Sequence, residues 1–161
     1  MYYWHMNSIT TFFSIVSLAS ATASGILAGA LLTEANVLVP YWRKMKPKEF
    51  LGLHHQMGPS LFRFFAPLTI AGTMLPLITL IGAYIVGSQA LYWWAISAAL
   101  GLLMLGIYFA YFKSANKRFE TSSISEDELP AELSRWAYWH NLRCVLAVAS
   151  LIAALLAIRI Q

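Results

Sequence analysis

The chain has 161 residues, of which 59% are hydrophobic and only 11% are charged, with a formal net charge of +4. That composition fits one small helical membrane domain. The single cysteine, Cys144, excludes an internal disulfide. In a soluble protein the positive charge would suggest nucleic acid; here it reflects basic loops on one membrane face, and no nucleic-acid partner is expected.

Ile9–Thr33, Phe64–Phe112 (split near Gly87) and Cys144–Ile158 carry no charged residue. A helix rises about 1.5 Å per residue, so about 20 apolar residues cross roughly 30 Å of hydrocarbon. The runs therefore predict an all-α, four-helix transmembrane bundle over one domain, with spans at about 9–39, 64–86, 90–112 and 139–160. The first run is too long for a signal-peptide core, lacks a basic leader, and continues into a chain that returns repeatedly to the membrane.

Span 1 closes at Pro40, with Tyr41 and Trp42 at the interface. Its Gly25–Gly29 segment is a small-xxx-small pattern that admits a close helix neighbour, and a homo-oligomer is left open. The first loop is basic, with Arg43, Lys44, Lys46 and Lys48. Pro47 suits a first helical turn, which predicts a helical extension carrying His54 and His55 into span 2. Pro67 and Pro76 are expected kinks. Gly87-Ser88-Gln89 is a hairpin, and Tyr92, Trp93 and Trp94 form an interfacial belt opening span 3. Lys113–Pro130 is expected to be a loop. Ser125 and Glu128 have capping-box spacing, and a second extension from about Ala131 leads into span 4. Ten of the eleven Lys and Arg residues flank the two long loops, and only Arg159 lies opposite. The positive-inside rule then puts both loops in the cytoplasm and both termini on the other side.

The uncharged core of span 4, Cys144–Ile158, covers only about 22 Å at helical rise. To cross the bilayer it must draw His140, Asn141 and Arg143 toward the membrane edge. Trp136, His140 and Arg143 share one helical face. Glu34, six residues before Pro40, sits inside the same edge, and a buried Glu34–Arg143 pair is expected, either functional or simply fixing helix register. Adjacent helical residues point about 100° apart, so only one of His54 and His55 is expected to face the bundle centre. His54, His55, His140 and Glu34 are the candidates for a transition-metal site, but no helical pair spacing such as HxxxH supports one. A histidine acting as proton shuttle, or as hydrogen-bond donor to an organic ligand, is the stronger expectation. Trp42, Phe62, Phe64, Phe65, Trp136, Tyr138 and Trp139 cluster near this edge, either as an interfacial belt or as walls of a flat apolar pocket.

Trp136-Ala137-Tyr138-Trp139-His140-Asn141-Leu142-Arg143, followed by a small-residue helix, resembles the W-x-x-x-H/N-x-x-R signature of the DUF1772, anthrone-oxygenase-like family. His55-Gln56-Met57-Gly58-Pro59 is similar to that family's H-Q-x-x-P stretch. Leu27-Ala28-Gly29, Val39-Pro40 and Asn116 resemble its remaining landmarks. The resemblance implies a four-span layout and oxidation of anthrones to anthraquinones by dioxygen, with no established cofactor. It matches His55, His140 and Arg143 to motif positions, and does not match Glu34.

The leading functional expectation is thus an oxygenase or oxidoreductase acting on a flat, apolar phenolic, anthrone-like or quinone-like molecule from the lipid bilayer. His55, His140 and Arg143 are its catalytic candidates, and Glu34, Gln56, Trp136 and Asn141 its substrate-binding ones. A histidine would take the proton and Arg143 would stabilise the anion. The cofactor is unspecified, with a metal-dependent version kept as a variant. The competing expectation is a non-enzymatic scaffold, partner subunit or carrier of a lipid-like ligand. A channel or transporter is disfavoured, because spans 2 and 3 are charge-free and no inverted repeat is visible.

Overall fold

The computed structural model describes the backbone of residues 2–161 and side chains from Thr10 onward; His5 lies outside the described side chains. Helix α1 (Tyr2–Thr33) passes through a π-turn (Glu34–Leu38) into α2 (Val39–Trp42). Helix α3 spans Pro47–Ile85, with Pro47 in its first turn as expected. Helix α4 (Leu91–Ile107) passes through a second π-turn (Tyr108–Phe112) into α5 (Lys113–Glu120), and α6 covers Leu129–Ile160. Four helical rods result, each long and apolar enough to cross a membrane. Short connections at 43–46, 86–90 and 121–128 make successive rods antiparallel neighbours. α1 packs on α3 and α6, and α4 packs on the same two, which closes a four-membered ring.

Three boundaries differ from the sequence reading. The first rod continues past Pro40 to Trp42, because proline is tolerated in a new first turn. α3 is not among them: it is one helix that carries Pro59, Pro67 and Pro76 within it. The expected loop 113–130 is half helix: Phe112, Ala115 and Phe119 are buried on one face, which holds α5 against the bundle. Only 121–128 is irregular. The capping box is present as read, with Ser125 Oγ donating to Glu128 Oε2 at 2.9 Å and the Glu128 N–H donating to Ser125 Oγ at 3.3 Å. α6 begins at Leu129, two residues before its expected start.

From the middle of the rods to the 86–90 hairpin the bundle is packed through small residues. Gly101 lies against the backbone of α3: a methyl group there would sit 3.1 Å from the Gly72 carbonyl oxygen and 3.3 Å from Thr73 Cα. Thr73 Oγ1 donates to the Gly101 carbonyl at 3.2 Å, and Ser97 and Ser150 bond across α4 and α6 at 3.0 Å. Small residues let helices approach where lipid supplies no hydrophobic drive between them. The Gly25–Gly29 pair does not serve this way. A methyl on Gly25 would face Leu151 of α6, whereas Gly29 meets nothing within 4 Å.

At the loop end the core is aromatic, with Trp42, Phe50, Phe112, Phe119 and Trp136 buried together. The ring of Trp136 packs edge-on against Trp42 (5.9 Å) and Phe112 (5.3 Å). Here α3 and α5 are clasped at their extremities. The Glu120 carbonyl lies 2.7 Å from His55 Nδ1, and Phe50 meets Phe119 edge-on at 5.3 Å. Between this clasp and the Gly72–Gly101 crossing lies a cavity.

Candidate functional site

The cavity encloses about 1270 Å³. One wall is α3 from His54 to Ile70, and the facing wall runs from Leu105 through the second π-turn to Glu120. Glu34, Trp136 and Arg143 form its back. Phe62, Ile70 and Phe109 line it and are also more than half exposed on the outer surface. The cavity therefore opens sideways, between α3 and the α4–α5 rod, through an apolar window.

The buried stripe of α6 builds the back wall. Glu132, Trp136, His140 and Arg143 follow one another at helical spacing, all buried. His140 is wholly enclosed, its ring stacked on Trp136 at 4.8 Å and 15°. Its Nε2 lies 3.0 Å from the Leu31 carbonyl and 3.7 Å from Glu34 Oε2. The carbonyl only accepts, so Nε2 carries a hydrogen and donates it. Nδ1 is buried and has no partner.

Glu34 opens the π-turn, in phase with Leu27 and Leu31 on the buried stripe of α1. The Val39 N–H reaches back five residues to the Glu34 carbonyl, and the inward stripe Leu27, Leu31, Glu34 resumes only at Val39 and Trp42. The carbonyls just before the turn accept side chains, Leu31 from His140 and Leu32 from Asn36 Nδ2 at 2.7 Å. The second π-turn behaves alike: the Lys113 N–H bonds the Tyr108 carbonyl, and the inward stripe jumps from Ile107 to Phe112. The guanidinium carbon of Arg143 sits over the Phe112 ring, 4.7 Å from its centre. Single π-turns inside α-helices recur at functional sites, and both of these flank the cavity.

Glu34 and Arg143 are buried near each other and interact electrostatically, as expected, but not as a contact ion pair. Both groups are buried at the same level and line the same cavity, but Arg143 has no carboxylate within 4 Å among the described residues. The side-chain nitrogen nearest the Glu34 carboxylate is Nε2 of the enclosed His140 imidazole, beyond hydrogen-bond distance. Arg143 is only 6% exposed, and its Nε is unbonded.

The other expected residues divide. Trp136 lines the cavity and donates from Nε1 to Asn116 Oδ1 at 2.8 Å. His55, Gln56 and Asn141 are exposed and outside the cavity. His55 is turned to Glu120, and the histidine of that pair in the cavity is His54, packed among Trp42, Phe50 and Phe119. One helical position separates the two outcomes: Phe50 and His54 share the buried face of α3, and His55 does not. Asn141 follows His140 by one residue and is turned outward for the same reason. Among the described residues, no three His, Cys, Asp or Glu side chains gather as a metal site would require. His54 and Glu34 line the same cavity, His55 is turned to the Glu120 carbonyl, and His140 is enclosed behind Glu34. Of the aromatics, Phe62 and Phe65 line the cavity and Trp42 and Trp136 are buried, whereas Phe64 and Tyr138 face outward.

One group escaped the sequence reading. Glu132, 3% exposed, accepts from Arg118 at 2.9 Å, Arg135 at 2.8 Å and the Tyr111 hydroxyl at 2.8 Å. This carboxylate ties α5 to α6 and so fixes one wall of the cavity. Its signal was its place one turn before Trp136 on the same stripe. Comparison of the chain with protein-family models, curated proteins and solved structures gives no match.

Proposed function

We propose that this chain is a membrane oxidoreductase of the oxygenase type. It takes a flat apolar phenol-, anthrone- or quinone-like molecule from the bilayer and activates it between Glu34 and Arg143. The observation that carries the reading is a buried guanidinium, Arg143, whose Nε makes no hydrogen bond, set with the Glu34 carboxylate in the lining of a cavity with an apolar lateral window. Ionisable groups inside a span are costly and mark functional sites by default. An anionic oxygen on a ligand would supply the acceptor that the Nε–H of Arg143 lacks.

Glu34 is the base in this scheme. It accepts a proton from the acidic carbon or phenolic oxygen, and Arg143 stabilises the anion, an effect that grows in a dry site. His140 does not line the cavity; its ring is fixed by the Leu31 carbonyl and by Trp136 and packs beside the Glu34 carboxylate without a hydrogen bond to it. Dioxygen is the oxidant. It bonds to the electron-rich carbon; loss of the second hydrogen from that carbon as a proton and cleavage of the O–O bond then give the ketone and water. For an anthrone, substrate plus dioxygen becomes anthraquinone plus water, which balances without a further reductant. The resemblance of the Trp136–Arg143 segment to anthrone oxygenases supports this class of reaction. We place the two long loops in the cytoplasm on their basic residues, and reporter fusions after Gly87 and after Ser122 should report opposite sides.

A carrier of an apolar ligand is the second reading. It is favoured by the complete enclosure of His140, the histidine most expected to exchange protons with a substrate. Oxygen uptake and quinone absorbance, recorded for the protein in lipid nanodiscs supplied with anthrone, separate the two. Equimolar oxygen consumption and quinone formation support the oxygenase. Saturable quenching of tryptophan fluorescence without oxygen uptake supports the carrier. Absence of both overturns ligand binding at this cavity.

A further inference from the structure

The cavity is larger than a compact aromatic substrate needs. Pockets for drug-sized ligands enclose about 300–1,000 Å³, and this one encloses about 1270 Å³. Its α3 wall, from His54 to Ile70, is about 24 Å long at helical rise. That exceeds half the roughly 30 Å hydrocarbon thickness of a bilayer. The lining is also graded along this length. Asn116, Lys117 and Arg118 lie toward the loop end, whereas Phe65, Ile70 and Leu105 lie toward the middle of the spans. Glu34 and Arg143 are set in the back between these two regions. A single leaflet has the same order, from polar surface to apolar midplane, and the window opens onto it along the apolar part.

We propose, building on the ring-binding reading above, that the occupant is a long-tailed phenol or quinol. It lies parallel to the surrounding lipids, with its ring oxygen at Arg143 and its tail leaving between α3 and α4 toward the bilayer midplane. The tail does not tighten binding by hydrophobic transfer, since lipid is as apolar as the window. The window instead lets the ring enter the cavity while the tail stays in lipid, so a tailed molecule never has to leave the bilayer. A closed pocket sized for a tricycle would reject the same molecule.

The test uses a phenol carrying a decyl chain that ends in a photoactivatable diazirine, incorporated with the protein in lipid nanodiscs, irradiated, and mapped by peptide mass spectrometry. Tail label on the window segments 62–70 and 102–109, removed by excess of the same phenol without its tail, is the expected result. Uniform label on outward residues remote from the window, such as Ile15 and Leu155, unaffected by the competitor, overturns the tail assignment. Quenching of tryptophan fluorescence by the tailless phenol is measured in parallel. If the tailless phenol quenches saturably while the tailed probe leaves the window unlabelled, the tail inference fails and ring binding stands. If neither probe acts, both fail.

Discussion

The two ends of this bundle solve the same packing problem with opposite materials. From its middle to the 86–90 hairpin, α3, α4 and α6 approach through Gly101, Ser97 and Ser150, and the core there is mostly alanine around Phe13 and Trp94. At the loop end the rods are spaced by Trp42, Phe50, Phe112, Phe119 and Trp136, and ionisable groups are buried among them. Small residues bring backbones together and leave no room. Large rings hold them apart, and a cavity opens where rings on opposite walls do not meet. The close Gly101 crossing bounds the cavity on one side and the Phe50–Phe119 contact bounds it on the other.

The comparison can be broken at either end, and the largest effect is expected at the loop end. Glu34→Gln removes the base yet keeps the volume, so oxidation of an anthrone or hydroquinone should fall by about 10²–10⁴-fold, the usual worth of a general base. Unchanged turnover would take Glu34 out of the chemistry. Next is Glu132→Ala, which frees α5 from α6. Its arginine partners are 42% and 61% exposed and can resolvate, so we expect about 1–3 kcal/mol of lost stability and a lowered thermal midpoint in detergent. Gly101→Ala tests the close crossing. The added methyl meets backbone on α3 that cannot rotate away, and overpacking of this kind costs about 1–3 kcal/mol. An unshifted midpoint would mean that α3 and α4 slide freely. Ser97→Ala is the mildest, at about 0.6 kcal/mol, typical of a hydrogen bond between membrane helices. It should lower the midpoint slightly and leave ligand binding untouched.

The four rods were legible because charge is expensive in hydrocarbon: the charge-free runs mark the spans almost to the residue at the hairpin, where α3 ends at Ile85 and α4 begins at Leu91. The Trp136–His140–Arg143 face was legible for the same reason combined with helical periodicity. What could not be read was phase. Whether His54 or His55 turns inward depends on which face of α3 meets α5, and that is settled by Phe50 and Phe119 packing together. The offer of the Leu31 carbonyl to His140 just before a π-turn was also hidden, because residues Glu34–Leu38 carry no signal for that turn. The burial of Phe119 likewise converts Lys113–Glu120, polar enough to pass for loop, into helix.

Each π-turn is in effect one surplus residue. The inward stripes on either side of it differ by five positions, from Glu34 to Val39 and from Ile107 to Phe112, where an uninterrupted α-helix would take three or four. Deleting one residue in either stretch would leave both flanking stripes in phase and the rod able to pack. The extra residue is thus dispensable to the scaffold. In the first rod, the carbonyl of Leu31 is available to His140 just before the turn. An insertion of this kind changes what a helix offers its neighbours without changing which way the helix faces. It is a route by which a plain four-rod bundle can acquire a site.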